Sequence, residues 1–77
     1  MNSNNTYIVL MPVNSCERSE AEQIENKTYS SIEYVYGIHY GKDILVVSLS
    51  EFVDLINDQD EVTDGDKYWM TYVQIKN

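Results

Sequence analysis

The chain is 77 residues long and strongly acidic, with 13 Asp and Glu residues, five Lys and Arg residues and a formal net charge of −8 at pH 7. A surface of that charge is repelled by phosphate backbones and by anionic lipid headgroups, so we expect no direct binding to nucleic acid or to a membrane. Hydrophobic residues make up 43% of the sequence, which predicts a packed core rather than a disordered chain. The length predicts a single domain over residues 1–77.

The N-terminal residues and the cysteine content indicate where the protein is expected to reside. Residues 1–5 lack the basic and apolar regions of a secretory signal peptide. Cys16 is the single cysteine, which suits a reducing compartment. The longest apolar run, residues 7–13, is too short to span a bilayer. We therefore expect a cytoplasmic protein, located in the host-cell cytoplasm if the chain is encoded by a phage.

The first two elements along the chain are predicted to be a strand and a short helix. Residues 6–13 form an almost unbroken apolar run, which is typical of a strand buried on both faces and should end near Pro12. Residues 15–26 then predict a short helix, because Ser19 and Glu22 have the spacing of a capping box. Since few apolar residues lie in this segment, a structured loop is the alternative.

The middle of the chain is predicted to form an antiparallel hairpin. From Thr28 to Tyr40, aromatic and aliphatic residues recur at every second position, which is the period of a β-strand. Residues 41–43 supply a turn, and residues 44–47 predict a second buried strand. The tyrosines of the first strand would either pack at the edge of the core or form an exposed face for protein contact. This face would contain Ile32, Tyr34, Tyr36, Ile38 and Tyr40.

The last third of the chain predicts a helix, an acidic loop and a final strand. The helix should begin at Ser48 and end near Asn57, because four apolar residues have the spacing of one helical face. These residues are Leu49, Phe52, Val53 and Ile56. Residues 57–66 predict a polar acidic loop, and residues 68–75 alternate again as a strand.

The resulting order of elements, β-α-β-β-α-β, predicts an α+β domain with the ferredoxin-like arrangement. That arrangement is a four-stranded antiparallel sheet with both helices on one face. Right-handed crossover connections make it the natural way to close such a chain. Because this fold supports many activities, it does not by itself indicate a function.

The candidate functional residues are carboxylates in the second half of the chain. From Asp43 to Asp66 the sequence contains eight Asp and Glu residues and no Lys or Arg. Three of them recur at three- and four-residue intervals on the predicted helix, where like charges repel. A recognition surface explains such a costly arrangement, and plain solubility is the alternative. The predicted partner-binding residues are Glu51, Asp54, Asp58, Asp60, Glu61, Asp64, Asp66, Tyr34 and Tyr36.

Motifs for metal binding and for catalysis are weak. When Asp60 and Asp64 are aligned with a calcium-binding EF-hand loop, Thr71 falls where a bidentate Glu is required. One Cys and one His cannot form a tetrahedral zinc site without several carboxylates. The sequence has no glycine-rich phosphate loop and no nucleophile elbow, and His39 is more typical of a core-edge or surface imidazole than of a general base. We therefore expect no enzymatic activity, no metal site and no cofactor.

These features together predict a small acidic interaction module that inhibits or regulates a protein with a basic, nucleic-acid-binding surface. Its carboxylates would occupy positions otherwise taken by phosphates. In type, although not in sequence, the chain is similar to small phage-encoded inhibitors of host defence such as anti-CRISPR proteins. Two alternatives stay open: a ferredoxin-like small-molecule-sensing or subunit-type homodimer, and an antitoxin- or immunity-type inhibitor. The chain itself is expected to be a monomer or a homodimer.

Overall fold

The structure is a computed structural model that describes residues 5–58 and 67–76. It is a small α+β structure with three helices and one four-stranded sheet. The elements are β1 (Asn5–Pro12), α1 (Arg18–Ile24), β2 (Thr28–Tyr29), α2 (Ile32–Ile38), β3 (Leu45–Ser48), α3 (Leu49–Asp58) and β4 (Tyr68–Ile75). The predicted α+β class is therefore confirmed.

The four strands form a mixed sheet in the order β2-β4-β1-β3. The inner strand β1 pairs antiparallel with β3 and with β4, so that Ile8 lies opposite Val47 on one side and Tyr72 on the other. The short strand β2 pairs parallel with the end of β4, where Thr28 is aligned with Gln74. Because one strand pair is parallel, the predicted antiparallel sheet is wrong, and the ferredoxin-like arrangement is not confirmed.

The strand β1 is buried on both faces because helices cover both sides of the sheet. Its four residues from Ile8 to Met11 are at most 1% exposed. Since side chains alternate along a strand, Val9 and Met11 pack with α1 and α2, whereas Ile8 and Leu10 pack beneath α3. The predicted doubly buried strand is confirmed. The prediction that the helices share one face is wrong, because α3 lies on the opposite face from α1 and α2.

The predicted strand from Thr28 to Tyr40 is wrong beyond the two-residue strand β2, and the hairpin built on it is wrong as well. Most of this segment is the helix α2, which begins after Ser31; the Oγ of Ser31 accepts a hydrogen bond from the Tyr34 N–H at 3.1 Å. Val35 and His39 are both buried, one helical turn apart. The strand predicted at residues 44–47 is confirmed as β3, but its partner is β1.

The helix predicted at residues 15–26 is confirmed in a shorter form, and its cap differs. Glu17 and Glu20 form hydrogen bonds with each other at the start of α1. The Glu17 N–H donates to Oε2 of Glu20 at 2.7 Å, and the Glu20 N–H donates to the Glu17 carbonyl at 3.0 Å. Ser19 lies inside the helix, so the predicted Ser19–Glu22 cap is wrong. The buried residues Ala21 and Ile24 join the core on the β4 side.

The helix α3 and the strand β4 agree with their predicted positions. A reciprocal pair of hydrogen bonds begins α3: the Glu51 N–H donates to Oγ of Ser48 at 3.2 Å, and the Ser48 N–H donates to Oε1 of Glu51 at 3.1 Å. The strand predicted at residues 68–75 is β4. Of the predicted acidic loop at residues 57–66, residues 59–66 lie outside the described part of the chain.

Candidate protein interface

The helix α3 has more apolar surface than its contact with the sheet covers. Phe52 and Leu55 pack against the core over β1 and β3. Leu49, Val53 and Ile56 remain between 39% and 50% exposed. These three residues of the predicted apolar face stay exposed because α3 approaches the sheet on the side of Phe52 and Leu55. We call Leu49, Val53 and Ile56 the apolar strip of α3.

The opposite flank of α3 is acidic. Glu51 and Asp54 are exposed and, together with Leu45 and Val47 of the edge strand β3, line a groove of about 330 Å³. Asp58 is the last residue of α3, and its side chain lies outside the described part of the structure. We call Glu51 and Asp54 the acidic flank of α3. The strip and the flank together are the α3 surface.

The carboxylates of α1 and α3 differ in how far they are neutralised. On α1, Oε1 of Glu22 lies 3.3 Å from Nε of Arg18, and Oε1 of Glu20 lies 3.7 Å from Nζ of Lys42. Among the residues that the structure describes, no ion pair reaches the acidic flank of α3. Within the described residues, the carboxylates of Glu51 and Asp54 are therefore less neutralised than those of Glu20 and Glu22.

The apolar strip lies on the side of α3 that is directed away from the β3 edge, towards β4. Because the acidic flank lines the groove at β3, the apolar strip on the opposite side of the helix faces β4. There Tyr72 of β4 is exposed on the same sheet face as its cross-strand neighbour Ile8. Tyr72 is therefore an exposed aromatic side chain on the sheet face that α3 covers in part.

The exposure of the apolar strip was not predicted, although the sequence of α3 carries a signal for it. Five of its ten residues are apolar, at positions 49, 52, 53, 55 and 56. At about 100° per residue they span an arc of roughly 160°, wider than the stripe of about 100° that faces the core in a surface helix. The excess width predicts that part of the arc stays exposed.

The predicted carboxylate site is only partly described by the structure. Glu51 and Asp54 share one flank of α3, as their spacing predicts. The predicted site residues of the following loop lie outside the described residues. These are Asp60, Glu61, Asp64 and Asp66.

The two tyrosines of the predicted site are separated from the carboxylates. Tyr34 and Tyr36 belong to α2, which packs on the opposite face of the sheet from α3. The Tyr36 hydroxyl accepts a hydrogen bond from the Val46 N–H at 2.9 Å, so this side chain holds α2 against β3. Tyr34 is exposed, and its ring centroid lies 6.0 Å from that of Tyr29. The structure therefore does not bring these tyrosines and Glu51 together.

His39 is a buried titratable side chain at the end of α2. Within the described part of the chain, no group forms a hydrogen bond with its Nε2. Burial lowers the pKa of His39 from its usual 6.5; Glu20 acts in the opposite direction, and Lys42 lowers the pKa further. The fold therefore favours the neutral imidazole.

We expect acidification to destabilise the protein through His39. Because the folded-state pKa lies below 6.5, the contribution of the neutral imidazole to stability is complete above pH 6.5 and is lost as the pH falls through the folded-state pKa. Urea denaturation should give a free energy of unfolding that decreases from about pH 7 to about pH 5. The His39→Leu variant should depend less steeply on pH in this window.

Glu20 does not confound this measurement, because its pKa is lowered from 4.5 by the hydrogen bond from the Glu17 backbone, and it titrates below the window. If His39→Leu retained the same pH dependence as the parent protein, the assignment to His39 would be wrong.

Two other kinds of site are not found in the part of the chain that the structure describes. Residues 5–56 and 67–76 contain no group of three or more His, Cys, Asp or Glu side chains placed to hold a metal ion. None of the described helices has the length and apolarity needed to cross a bilayer.

The chain matches no protein-family model, no curated protein and no solved structure.

Proposed function

We propose that this protein is a small acidic interaction module that inhibits or regulates a partner with a basic, nucleic-acid-binding surface. The observation that supports this most directly is the α3 surface. There Glu51 and Asp54 are exposed and lack ion pairs with described residues, while the apolar strip is exposed on the same helix. A partner that contacts both the apolar strip and the acidic flank would bury apolar area and pair its own Lys and Arg residues with the carboxylates.

The α3 carboxylates recur along the helix axis, as phosphates recur along a nucleic-acid strand. Glu51, Asp54 and Asp58 are three and four residues apart. A helix rises about 1.5 Å per residue, so these residues are about 4.5 and about 6 Å apart along its axis. One strand of B-DNA presents a phosphate about every 3.4 Å along its axis. Because the carboxylate intervals are longer than the phosphate interval, the flexible Lys and Arg side chains of a partner would adjust to meet the carboxylates.

The α3 surface is a better candidate than α1 for this role. The carboxylates Glu20 and Glu22 of α1 are already close to Lys42 and Arg18. After Asp58, the sequence adds four more carboxylates before the next basic residue, Lys67. The same surface would serve an antitoxin- or immunity-type inhibitor, and the identity of the partner distinguishes these roles.

The proposal is tested by identifying the partner and measuring how salt affects its binding. The tagged protein is used to capture partners from cells, and each captured protein is purified and titrated at increasing ionic strength. We expect a nucleic-acid-binding protein whose affinity for this chain falls steeply with salt, and whose nucleic acid is displaced by this chain. An affinity that is flat from low to high salt would contradict the proposal.

A charge reversal on the acidic flank should weaken this complex selectively. Asp54→Lys places a like charge against the basic surface of the partner, and we expect the dissociation constant to rise by about tenfold or more. Glu25→Lys makes the same change in net charge at an exposed position beside α1, and it should alter the affinity much less. Glu51 is left unchanged because its side chain caps α3. Equal effects of the two variants would move the interface away from α3.

A further inference from the structure

The outer side of α2 is an exposed apolar surface that surrounds a hollow. Tyr34 and Ile38 are 57% and 47% exposed, and Tyr40 just beyond the helix is almost fully exposed. Together with Ser31, Glu33 and Gly37, the first two line a hollow of about 540 Å³. We call Tyr34, Gly37 and Ile38 the α2 face.

Gly37 lies inside α2, although nothing in the described structure requires a glycine there. A Cβ placed at this residue would have no heavy atom within 4 Å, and Gly37 is not among the residues with positive φ. Glycine within a helix is less favourable than most residues, because it loses more backbone freedom on folding. Its presence is explained if another molecule approaches the backbone of α2 closely at this point.

We infer that two copies of this chain associate through the α2 face. In a two-fold arrangement the same face is used by both copies. Tyr34 and Ile38 of one copy would then pack across Gly37 of the other, where the missing side chain brings the two helices close together. Tyr40 would add aromatic contact at the rim of this interface.

The distribution of charge indicates a second copy rather than a basic protein as the occupant. Two chains of net charge −8 repel each other least where carboxylates are fewest. Between Tyr29 and Lys42 the only carboxylate is that of Glu33. The helices α1 and α3 each carry more, and a basic partner would find little on α2 to bind. Because α3 lies on the opposite face of the sheet, a dimer through α2 would leave both α3 surfaces open, so this inference does not depend on the proposed function.

The test is the concentration dependence of the molar mass of the full chain. Sedimentation equilibrium from about 1 μM to about 1 mM should show a mass that rises from 9.0 kDa towards twice that value. A mass that stays at 9.0 kDa across this range overturns the inference.

Substitution at Gly37 separates association from folding, because its two expected effects have opposite directions. Gly37→Gln places an uncharged helix-forming side chain in the hollow, so it should raise the denaturation midpoint of the monomer while it weakens the dimer. Tyr34→Ser should increase the dimer dissociation constant by about tenfold or more. The control Tyr72→Ser removes an exposed tyrosine from the other face of the sheet and should leave the dimer unchanged. A dimer weakened by Tyr72→Ser and unaffected by Gly37→Gln overturns the inference.

Discussion

Replacement of Leu10 by alanine should lower the free energy of unfolding by about 2–5 kcal/mol. The same replacement at Leu49 should lower it by less than about 1 kcal/mol. Both substitutions remove the same atoms, but Leu10 is 1% exposed in β1 and Leu49 is 49% exposed on α3. Urea denaturation followed by circular dichroism at pH 7 gives both values.

The large effect at Leu10 follows from how firmly its surroundings are held. Leu45 of β3 and Met70 of β4 lie opposite it in register, and Phe52 and Leu55 of α3 pack against the same cluster. Since these neighbours are fixed by the sheet and by a helix, they cannot collapse fully into the cavity. A domain of this length has a total stability of about 4–12 kcal/mol, so the loss is a large part of it. Equal costs at the two leucines would show that α3 does not cover β1.

The elements that could be predicted from the sequence are those whose signal is local. The continuous apolar run around Ile8 indicates double burial without reference to any other segment. Likewise, the helical spacing of Phe52 with its apolar neighbours and the pair Ser48–Glu51 predict the position of α3. The alternation from Tyr68 to Ile75 predicts the position of β4. Strand pairing could not be predicted in this way, because β2 has only two residues and pairs with a strand far along the chain.

The α2 segment could not be assigned because its sequence satisfies two periods. Tyr34, Tyr36 and Ile38 alternate as in a strand and have high strand propensity. Ile32, Val35 and His39 also fall on one side of a helix. Packing of Val35 against the sheet, together with the cap at Ser31, decides between the two in the folded protein. The cap at Ser31 is local, but the contact of Val35 with the sheet is tertiary and cannot be seen in the sequence of this segment alone.

The candidate site was predictable for its charge but not for its apolar contact. The exposed positions of Glu51 and Asp54 follow from their place opposite the apolar arc of α3. Which part of that arc is covered depends on the strands that α3 crosses, and these are set by the sheet order. Tyr34 lies on the opposite face of the sheet from Glu51 and Asp54, because its segment is the helix α2 and not the predicted strand.

One pair of aspartate substitutions tests α2 with a large difference in effect. Val35 is fully buried and Ile38 is 47% exposed. Val35→Asp places a carboxylate in the core without a partner, and we expect a loss of more than about 4 kcal/mol, enough to unfold much of the population. Ile38→Asp places the charge in water at the end of the helix, where the dipole disfavours it by about 0.3–1 kcal/mol. Circular dichroism at low protein concentration, where any dimer is dissociated, should show an unfolded Val35→Asp variant and a folded Ile38→Asp variant. If both variants folded equally well, Val35 would not point into the core, and the helix that distinguishes this fold from a hairpin would be excluded.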